Sequence, residues 1–260
     1  MTVTEPSTRT SDFVQSLERG LAVIRAFSAD APELTLSEVA RVTGLTRAAA
    51  RRFLHTLVKL GYVRTDGRLF ALSPRVLELG YAYLSSLSLP QIAEPHMERL
   101  VEKVHESCSV SILDGDNVVY VARVPTKRIM TVAISVGTRF PAYATSMGRI
   151  LLAHQDPAWL TDYLERSNFK KLTPHTTTDP EDLAKILAQV RAQGYCLVDQ
   201  ELEEGLRSIA VPITNGAARV IAAMNVSAHI SRGSAAAIRQ ELLPPLQQAA
   251  ADVHADLAAQ

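Results

Sequence analysis

The feature that most constrains the fold is a basic helix that runs directly into a β-hairpin, between residues 45 and 73. The stretch LTRAAARRFLHTLVKLGYV begins with a capping residue, Thr46, and reaches Gly61, which suits the position just after a helix. Asp66-Gly67 then separates two short β-like runs, 62–65 and 68–72. Such a dipeptide between β-like runs predicts a tight hairpin.

Two further helices precede this basic helix. Residues 13–29 have apolar side chains at three- and four-residue spacing, which predicts a helix with a buried stripe of Leu17, Leu21, Ile24 and Phe27. A short second helix follows, capped by Thr35 or Ser37 and ended by Gly44. The order helix, helix, tight turn, helix and hairpin predicts a winged helix-turn-helix, whose third helix can enter the major groove of DNA.

Charge is distributed unevenly along the chain, although the formal net charge is zero. Residues 1–75 carry 11 Lys/Arg and 7 Asp/Glu, whereas residues 76–260 carry 16 and 20. Residues 41–75 carry eight basic residues and one acid, Asp66. This local excess indicates a binding surface for a polyanion, which the net charge alone would not.

On a helical wheel, the basic helix divides into an apolar side and a basic side. The apolar side consists of Ala50, Phe53, Leu54, Leu57 and Val58, and the opposite side of Ala48, Arg52, His55 and Lys59, with Arg51 at the flank. An isolated helix of this kind is more often a solvated face, but the surrounding helix-turn-helix favours DNA. The candidate DNA-binding residues are Thr46, Arg47, Ala48, Arg51, Arg52, His55, Lys59, and Arg64 and Arg68 beside the hairpin tip.

The rest of the chain predicts a linker and a second, larger domain. Ser73-Pro74 begins another helix, and Pro90 marks a boundary. Helices then alternate with hairpins at residues 114–116 and 215–216, a strand is expected at 129–136, and the last helix at 234–258. The predicted organisation is a disordered tail (1–12), a winged helix-turn-helix domain (13–73), a linker helix (74–90) and an α+β domain (91–260).

Several classes of protein are disfavoured. Two distant cysteines indicate no disulfide framework and favour the reducing cytoplasm, and no apolar run is long enough to cross a membrane. The segment ATSMGR departs from the GxSxG nucleophile motif because Ala144 occupies the first glycine position. A hydrolase or acyl-transfer enzyme using Ser146 is therefore the alternative function, and we expect no catalysis, metal or cofactor.

The segment AYATSMGR has a second interpretation, because it passes from a loop into a helix. Backbone N–H groups of Ser146, Met147 and Gly148 would then lie at a helix N-terminus, which attracts a carboxylate. Simple capping by Thr145 or Ser146 explains the same residues equally well.

Several ordered motifs resemble one family. The segments SLERGLAVIRAF, LTLSEVARVTGLTRAAARRFLHTLVKLGYV and FALSPRVLELG are similar to the DNA-binding half of the IclR-type transcriptional regulators. In the second half, GTRFPAYATSMGRILLA, GYCLVDQELEEGLRSIAVPI and AAMNVS are similar too, so the resemblance spans about residues 13–250. It is strongest to the subgroup that controls protocatechuate, 4-hydroxybenzoate and β-ketoadipate catabolism in bacteria.

The resemblance implies a GAF-like domain that binds a small acid, a linker helix, operator DNA as a partner, and homodimers that often pair into tetramers. It implies effector contacts from Ser146, Met147, Asp199, Ser208, Asn225 and Ser227, to which the segment above adds Gly148. Tyr143 and Met147 are candidate walls for an aromatic ring, or equally core residues. Whether Arg139, Arg149 or Arg207 contacts a ligand stays open, and exposure is the commoner state of an arginine.

The chain departs from the family pattern in both halves. Ala48 and Ala49 replace a usual Ser-Thr pair in the basic helix, which removes two hydroxyl groups. Ser208 stands where many relatives have cysteine, Val198 where many have an acid, and Asn225 where a small hydroxyl residue is common. These departures argue against a ligand as small as glyoxylate or pyruvate. The expected function is a ligand-responsive regulator of aromatic-compound catabolism whose effector is a small aromatic or dicarboxylic acid. The basic excess disfavours an interaction module that has lost DNA.

Overall fold

The computed structural model describes residues 13–84, 88–126 and 134–259, and the chain divides into two compact units, Met1–Ser85 and Ser86–Gln260. The predicted disordered tail, residues 1–12, lies outside the described residues, as do 85–87 of the predicted linker helix and 129–133 of a predicted strand. The exact domain boundaries, after residues 73 and 90, stay predictions.

The first unit is a three-helix domain with a small sheet. Its elements are α1 (Gln15–Arg25), β1 (Glu33–Thr35), α2 (Leu36–Thr43), α3 (Arg47–Leu60), β2 (Val63–Thr65) and β3 (Leu69–Leu72). The antiparallel sheet has the order β1-β3-β2. The predicted winged helix-turn-helix is confirmed. The sequence did not predict β1, whose three residues are too few to show a period.

Capping residues set the ends of α2 and α3 as the sequence predicts. The Thr35 hydroxyl accepts a hydrogen bond from the Glu38 N–H at 3.3 Å, and the Glu38 carboxylate accepts one from the Thr35 N–H at 2.7 Å. The Thr46 hydroxyl accepts a hydrogen bond from the Ala49 N–H at 3.2 Å. Gly61 ends α3 at φ 83°, in the left-handed region that glycine tolerates best.

The buried side of α1 differs from the prediction. Leu17 and Leu21 are exposed, at 63% and 48%, whereas Val23 and Phe27 are buried in the core of the unit. The predicted stripe was therefore wrong for the two leucines. The helix is apolar on two sides, so spacing alone could not decide which side packs against α2 and α3.

The linker region begins at the predicted residue, Pro74, but in a 3-10 turn rather than an α-helix. A 3-10 turn (Pro74–Val76) leads into α4 (Leu77–Leu84), and α5 spans Ser88–Val104. Pro90, which was predicted to mark a boundary, lies in the first turn of α5. Proline is tolerated there, because the first-turn N–H groups have no partner within the helix.

The second unit is a six-stranded antiparallel sheet with helices on both faces. The remaining elements are β4 (Ser107–Asp114), β5 (Asn117–Val124), β6 (Arg139–Pro141), α6 (Ser146–Ala153), α7 (Pro157–Arg166), α8 (Pro180–Gln193), β7 (Cys196–Asp199), β8 (Leu206–Thr214), β9 (Val220–His229) and α9 (Ala235–Ala258). The strand order is β6-β5-β4-β9-β8-β7. The predicted hairpins and helices are confirmed, but 134–136 are not a strand and β7 was not predicted.

The two faces of this sheet have separate cores. One core joins α5 and α9 to Cys108, Val110 and Met224 of the sheet. The other joins α6 and α8 to Tyr120 and Val198. This confirms the predicted two-domain α+β fold. Within the described ranges, no helix combines the length and the apolar character that a membrane span requires, and no group of three metal-ligating side chains occurs.

Candidate functional site

The basic helix α3 presents the predicted basic side to solvent. Its opposite side is buried through Ala50, Leu54 and Leu57, which confirms the helical wheel. All nine candidate DNA-binding residues are exposed: Thr46, Arg47, Ala48, Arg51, Arg52, His55, Lys59, Arg64 and Arg68. The structure therefore brings them onto the surface of one helix and the adjacent hairpin.

Most cations of this surface are not neutralised by neighbouring acids. Of the described residues, no carboxylate forms an ion pair with Arg51, Arg52 or Lys59, whereas Arg64 pairs with Glu33 at 3.3 Å. The His55 ring contacts the Phe70 ring edge-on, with 6.5 Å between centroids, which ties α3 to the hairpin. The unpaired charges are available to an anion.

The hairpin tip is stabilised by its own side chains. Asp66 Oδ1 accepts hydrogen bonds from the N–H groups of Leu69 and Arg68, at 2.7 and 2.8 Å. These bonds favour the charged carboxylate and hold the pKa of Asp66 below its usual value. The only acid of residues 41–75 thus shapes the turn that presents Arg68.

A narrow, partly enclosed cavity with a volume of about 20 Å³ lies in the second unit between α6 and the sheet. Four of the eight candidate effector residues line it: Ser146, Ser208, Asn225 and Ser227. Strand pairing explains this placement, because Ser208 of β8 lies directly opposite Ser227 of β9, and Asn225 shares its face two residues earlier.

These four side chains form one buried hydrogen-bonded cluster. Ser146 Oγ and Ser208 Oγ are 2.8 Å apart. Asn225 Nδ2 donates to Ser208 Oγ at 2.8 Å and to Ser227 Oγ at 3.0 Å. Asn225 Oδ1 is buried without a partner in the described part of the chain. The cluster is neutral, and one of its acceptors remains available inside the cavity.

The other four candidates do not line the cavity. Tyr143 donates to the Lys170 carbonyl at 2.7 Å, and Met147 accepts a hydrogen bond from Ser111 at 3.3 Å. Gly148 lies where a Cβ atom would be 2.1 Å from the Ala142 carbonyl oxygen, so glycine serves close packing there. Its N–H is capped by Thr145 at 3.0 Å, which is the simple capping alternative.

Asp199, the last of these, forms an ion pair instead of a wall. Its carboxylate contacts Arg207 at 2.8 Å across the β7–β8 pair. Successive side chains of a strand point to opposite faces, and it is the preceding residue, Val198, that lines the cavity.

The three arginines that the sequence left open as ligand contacts, Arg139, Arg149 and Arg207, are all paired with acids. Arg139 is exposed and contacts Asp114 at 2.6 Å. Arg149 is 2% exposed and bonds both oxygens of Glu201 at 2.6 Å. The commoner expectation of exposure was therefore wrong for Arg149 and for Arg207, which is also buried.

The sequence missed most of the apolar wall. The remaining lining residues are Tyr120, Ile134, Ala144, Thr145, Val198, Leu202 and Leu206. Side chains alternate between the two faces of a strand, and this alternation along β5 and β7 could have placed Tyr120 and Val198 on the cavity face of the sheet. Leu202 lies in the connection between β7 and β8, and Leu206 is the first residue of β8. The alternation of side chains along a strand does not predict the direction of these two side chains.

The geometry does not suit covalent catalysis. The Ser146 hydroxyl contacts Ser208, and the cavity wall includes no described histidine or carboxylate that would activate it. Burial raises the pKa of both thiols, Cys108 and Cys196, so both stay protonated. The side chains of the cavity can therefore bind a ligand through hydrogen bonds.

Both units of the chain match models of one protein family. Residues 16–67 match the IclR helix-turn-helix domain, and residues 81–255 match the C-terminal domain of bacterial IclR transcriptional regulators. The chain therefore belongs to the IclR family of transcriptional regulators.

Individual members of this family are similar to the chain over most of its length. The chain is 50% identical to the Pca regulon regulatory protein of Pseudomonas putida, over 93% of this chain and 84% of that protein. It is 38% identical to the p-hydroxybenzoate hydroxylase transcriptional activator of Acinetobacter baylyi, over 93% and 91%. A solved IclR homolog complexed with 4-hydroxybenzoate, from Microbacterium hydrocarbonoxydans, has a TM-score of 0.84 at 29% identity, over 95% and 100%.

These relatives are named as regulators of transcription. The chain is a transcriptional regulator rather than an enzyme, and the alternative of a hydrolase using Ser146 has no support from them.

Proposed function

We propose that this regulator binds operator DNA through α3 and the hairpin, binds an aromatic acid in the cavity of its second unit, and controls genes of aromatic-acid catabolism. The buried, neutral hydrogen-bonding cluster that lines the cavity carries the proposal. A cavity lined by apolar side chains and a few placed polar groups is typical of a small-molecule site.

The DNA side of the proposal rests on the exposed basic face of α3. Arg47, Arg51, Arg52 and Lys59 bind phosphates or guanine edges, and Arg68 of the hairpin contacts the adjacent backbone. Thr46, Ala48 and His55 lie where α3 approaches the groove, and Arg64 supports the wing beside Glu33. The two alanines leave arginine side chains to supply most of the contacts.

The effector part of the proposal is supported by the residues that line the cavity and by two relatives. Tyr120, Leu202 and Ile134 offer apolar surface to a ring, and Ser146, Ser208, Asn225 and Ser227 offer hydrogen bonds. One structural relative is complexed with 4-hydroxybenzoate, and another relative is named for p-hydroxybenzoate hydroxylase. A hydroxylated benzoate is the effector class that fits both facts.

A second copy of the chain is the expected protein partner. In the first unit, Phe13, Val14, Leu17 and Leu21 are exposed on or beside α1, and Leu77 and Leu79 are exposed on α4. Exposed apolar side chains clustered on a helix mark an interaction surface. A dimer that covers them would present two wings to the two halves of an operator, in the cytoplasm where the DNA lies.

The DNA part is tested by salt-titrated binding to the promoter next to the protein's own gene. Arg52→Ala and Lys59→Ala should each weaken binding and reduce the slope of log K against log salt by about 1, because each removes one phosphate contact. Arg25→Ala, an exposed arginine of α1 away from this face, is the matched control and should leave the slope unchanged. Unchanged DNA affinity in both Arg52→Ala and Lys59→Ala would contradict the proposed DNA-binding face.

A further inference from the structure

One partly buried arginine of the second unit has no acidic partner. Among its described arginines, Arg123, Arg149, Arg207 and Arg232 are at least partly buried. Three of these pair with carboxylates, at 2.6 to 2.8 Å. Arg123 forms none in the described part of the chain, and its guanidinium donates only to Ser109 Oγ at 3.2 Å. Its partly buried guanidinium therefore has donors that no described carboxylate occupies, and such donors suit an anionic ligand.

A β-bulge turns Arg123 toward the cavity face of the sheet. The β4–β5 register shifts between Val110 and Ser111, so that Tyr120 lies opposite Ser111 while Arg123 lies opposite Ser109. In a regular strand, residues three apart would point to opposite faces. Because the bulge inserts one extra residue into β5, Tyr120 and Arg123 point to the same face instead. Such bulges are common beside functional sites.

Strand register also aligns Arg123 with the cavity cluster. Ser109 pairs with Arg123 on one side and with Asn225 on the other, so the three side chains form one row across β5, β4 and β9. Neighbouring strands are about 4.8 Å apart. The backbones of Arg123 and Asn225 are therefore about 9.6 Å apart, a separation that the long Arg123 side chain and a small aromatic acid can bridge together.

Tyr120 supplies a second donor at the same end. It lines the cavity, and within the described residues its hydroxyl forms no hydrogen bond. Burial raises the pKa of Tyr120 to about 12, against a smaller lowering by the nearby Arg123 charge. The phenol therefore stays protonated at neutral pH and donates.

We propose that Arg123, together with the Tyr120 hydroxyl, binds the carboxylate of the effector at the β5 end of the cavity. The inference rests on the proposed function, since it identifies how the aromatic acid is held. The neutral cluster at the other end has no cation, and its unpartnered Asn225 Oδ1 accepts the ligand's hydroxyl group. The α6 terminus is not the anchor, because Thr145 already caps the Gly148 N–H.

Calorimetric titration of the full chain with 4-hydroxybenzoate and with 4-hydroxybenzamide tests this. The two ligands differ in charge at one end. The wild type should bind the acid about 10- to 100-fold more tightly, the range expected for charge-assisted hydrogen bonds. Arg123→Gln should reduce this preference to within about threefold and leave amide affinity nearly unchanged. Arg139→Gln, which removes an exposed arginine paired with Asp114, should keep the wild-type preference.

The outcomes separate this inference from the proposed function. If the wild type binds neither compound, the aromatic-acid effector is overturned, and this inference with it. If the wild type prefers the acid and Arg123→Gln keeps that preference, only the carboxylate anchor is overturned. Should Arg123→Gln fail to fold, Tyr120→Phe carries the test: its acid affinity should fall about tenfold, and unchanged affinity would contradict the proposal.

Discussion

The proposed DNA-binding face of α3 and the proposed effector cavity of the second unit are built in opposite ways. The α3 face and the hairpin take their residues from one stretch, 46–68, and every cation is exposed. The cavity cluster takes its residues from α6, β8 and β9, between Ser146 and Ser227, and all four are buried and neutral. Contiguous exposed charge suits a long polyanion, whereas a buried cluster selects one small molecule by shape and hydrogen bonding.

The difference also concerns stability. Exposed cations can be removed with little effect on folding, since water solvates the groups left behind. Buried polar groups are bonded to one another, so removing one leaves its partners unsatisfied. Substitutions in the cavity unit should therefore change stability, whereas substitutions on the α3 face should change binding alone.

The largest expected effect is at the buried ion pair beside the cavity. Arg149→Ala leaves the Glu201 carboxylate, whose side chain is only 11% exposed, without its guanidinium partner. Loss of one partner of a buried pair should lower the free energy of unfolding by about 3–5 kcal/mol. Denaturant unfolding of the full chain measures it.

The exposed pair of the same unit is the control. Arg139→Ala removes a partner of Asp114, but both side chains are about half exposed, at 46% and 63%. Its cost should be about 0–1 kcal/mol. If both variants lost the same free energy of unfolding, the distinction between buried and exposed ion pairs would be contradicted.

An intermediate effect is expected at the centre of the serine–asparagine cluster. Ser208→Ala removes a hydroxyl that contacts Ser146, Asn225 and Ser227, which should cost about 1–3 kcal/mol of stability and weaken 4-hydroxybenzoate binding. Thermal unfolding and calorimetry measure the two quantities. Ser167→Ala is the matched control, because the Ser167 hydroxyl is buried and has no partner among the described residues, so its removal should cost nothing. A Ser208→Ala protein as stable as Ser167→Ala would contradict the bonded cluster.

Sequence reasoning predicted the first site better than the second, for a physical reason. The α3 face depends on helical periodicity, on the Thr46 cap and on the Asp66-Gly67 turn, which are all local. The two exposed leucines of α1 show the limit even there, because a helix that is apolar on two sides does not identify its packed side.

The cavity depends on contacts between distant residues. Arg149 pairs with a residue 52 positions away, and Tyr120 and Arg123 share a face because of a bulge that the sequence does not signal. The four lining residues that were predicted came from the family resemblance. Asp199, predicted in the same way, forms an ion pair with Arg207 instead.

The smallest expected effect concerns the alanines of α3. Ala48 is exposed on the basic face, at a position where the family resemblance leads us to expect a hydroxyl residue. Ala48→Ser should tighten operator binding by up to about fivefold, the value of one modest hydrogen bond, and should cost about 0.5 kcal/mol in helix propensity. Fluorescence anisotropy at fixed salt measures the binding. Weaker binding would mean that the alanine is needed for close approach of the backbone.

A ligand-responsive regulator requires that its effector site and its DNA site act on each other, and reciprocal binding measurements test this requirement most directly. The affinity for the operator is measured with and without saturating 4-hydroxybenzoate at one salt concentration, and the affinity for 4-hydroxybenzoate with and without operator. Both affinities should change by the same factor, in the range of about 5–150, because coupling between two binding sites is reciprocal. An operator affinity unchanged by bound 4-hydroxybenzoate would contradict the account.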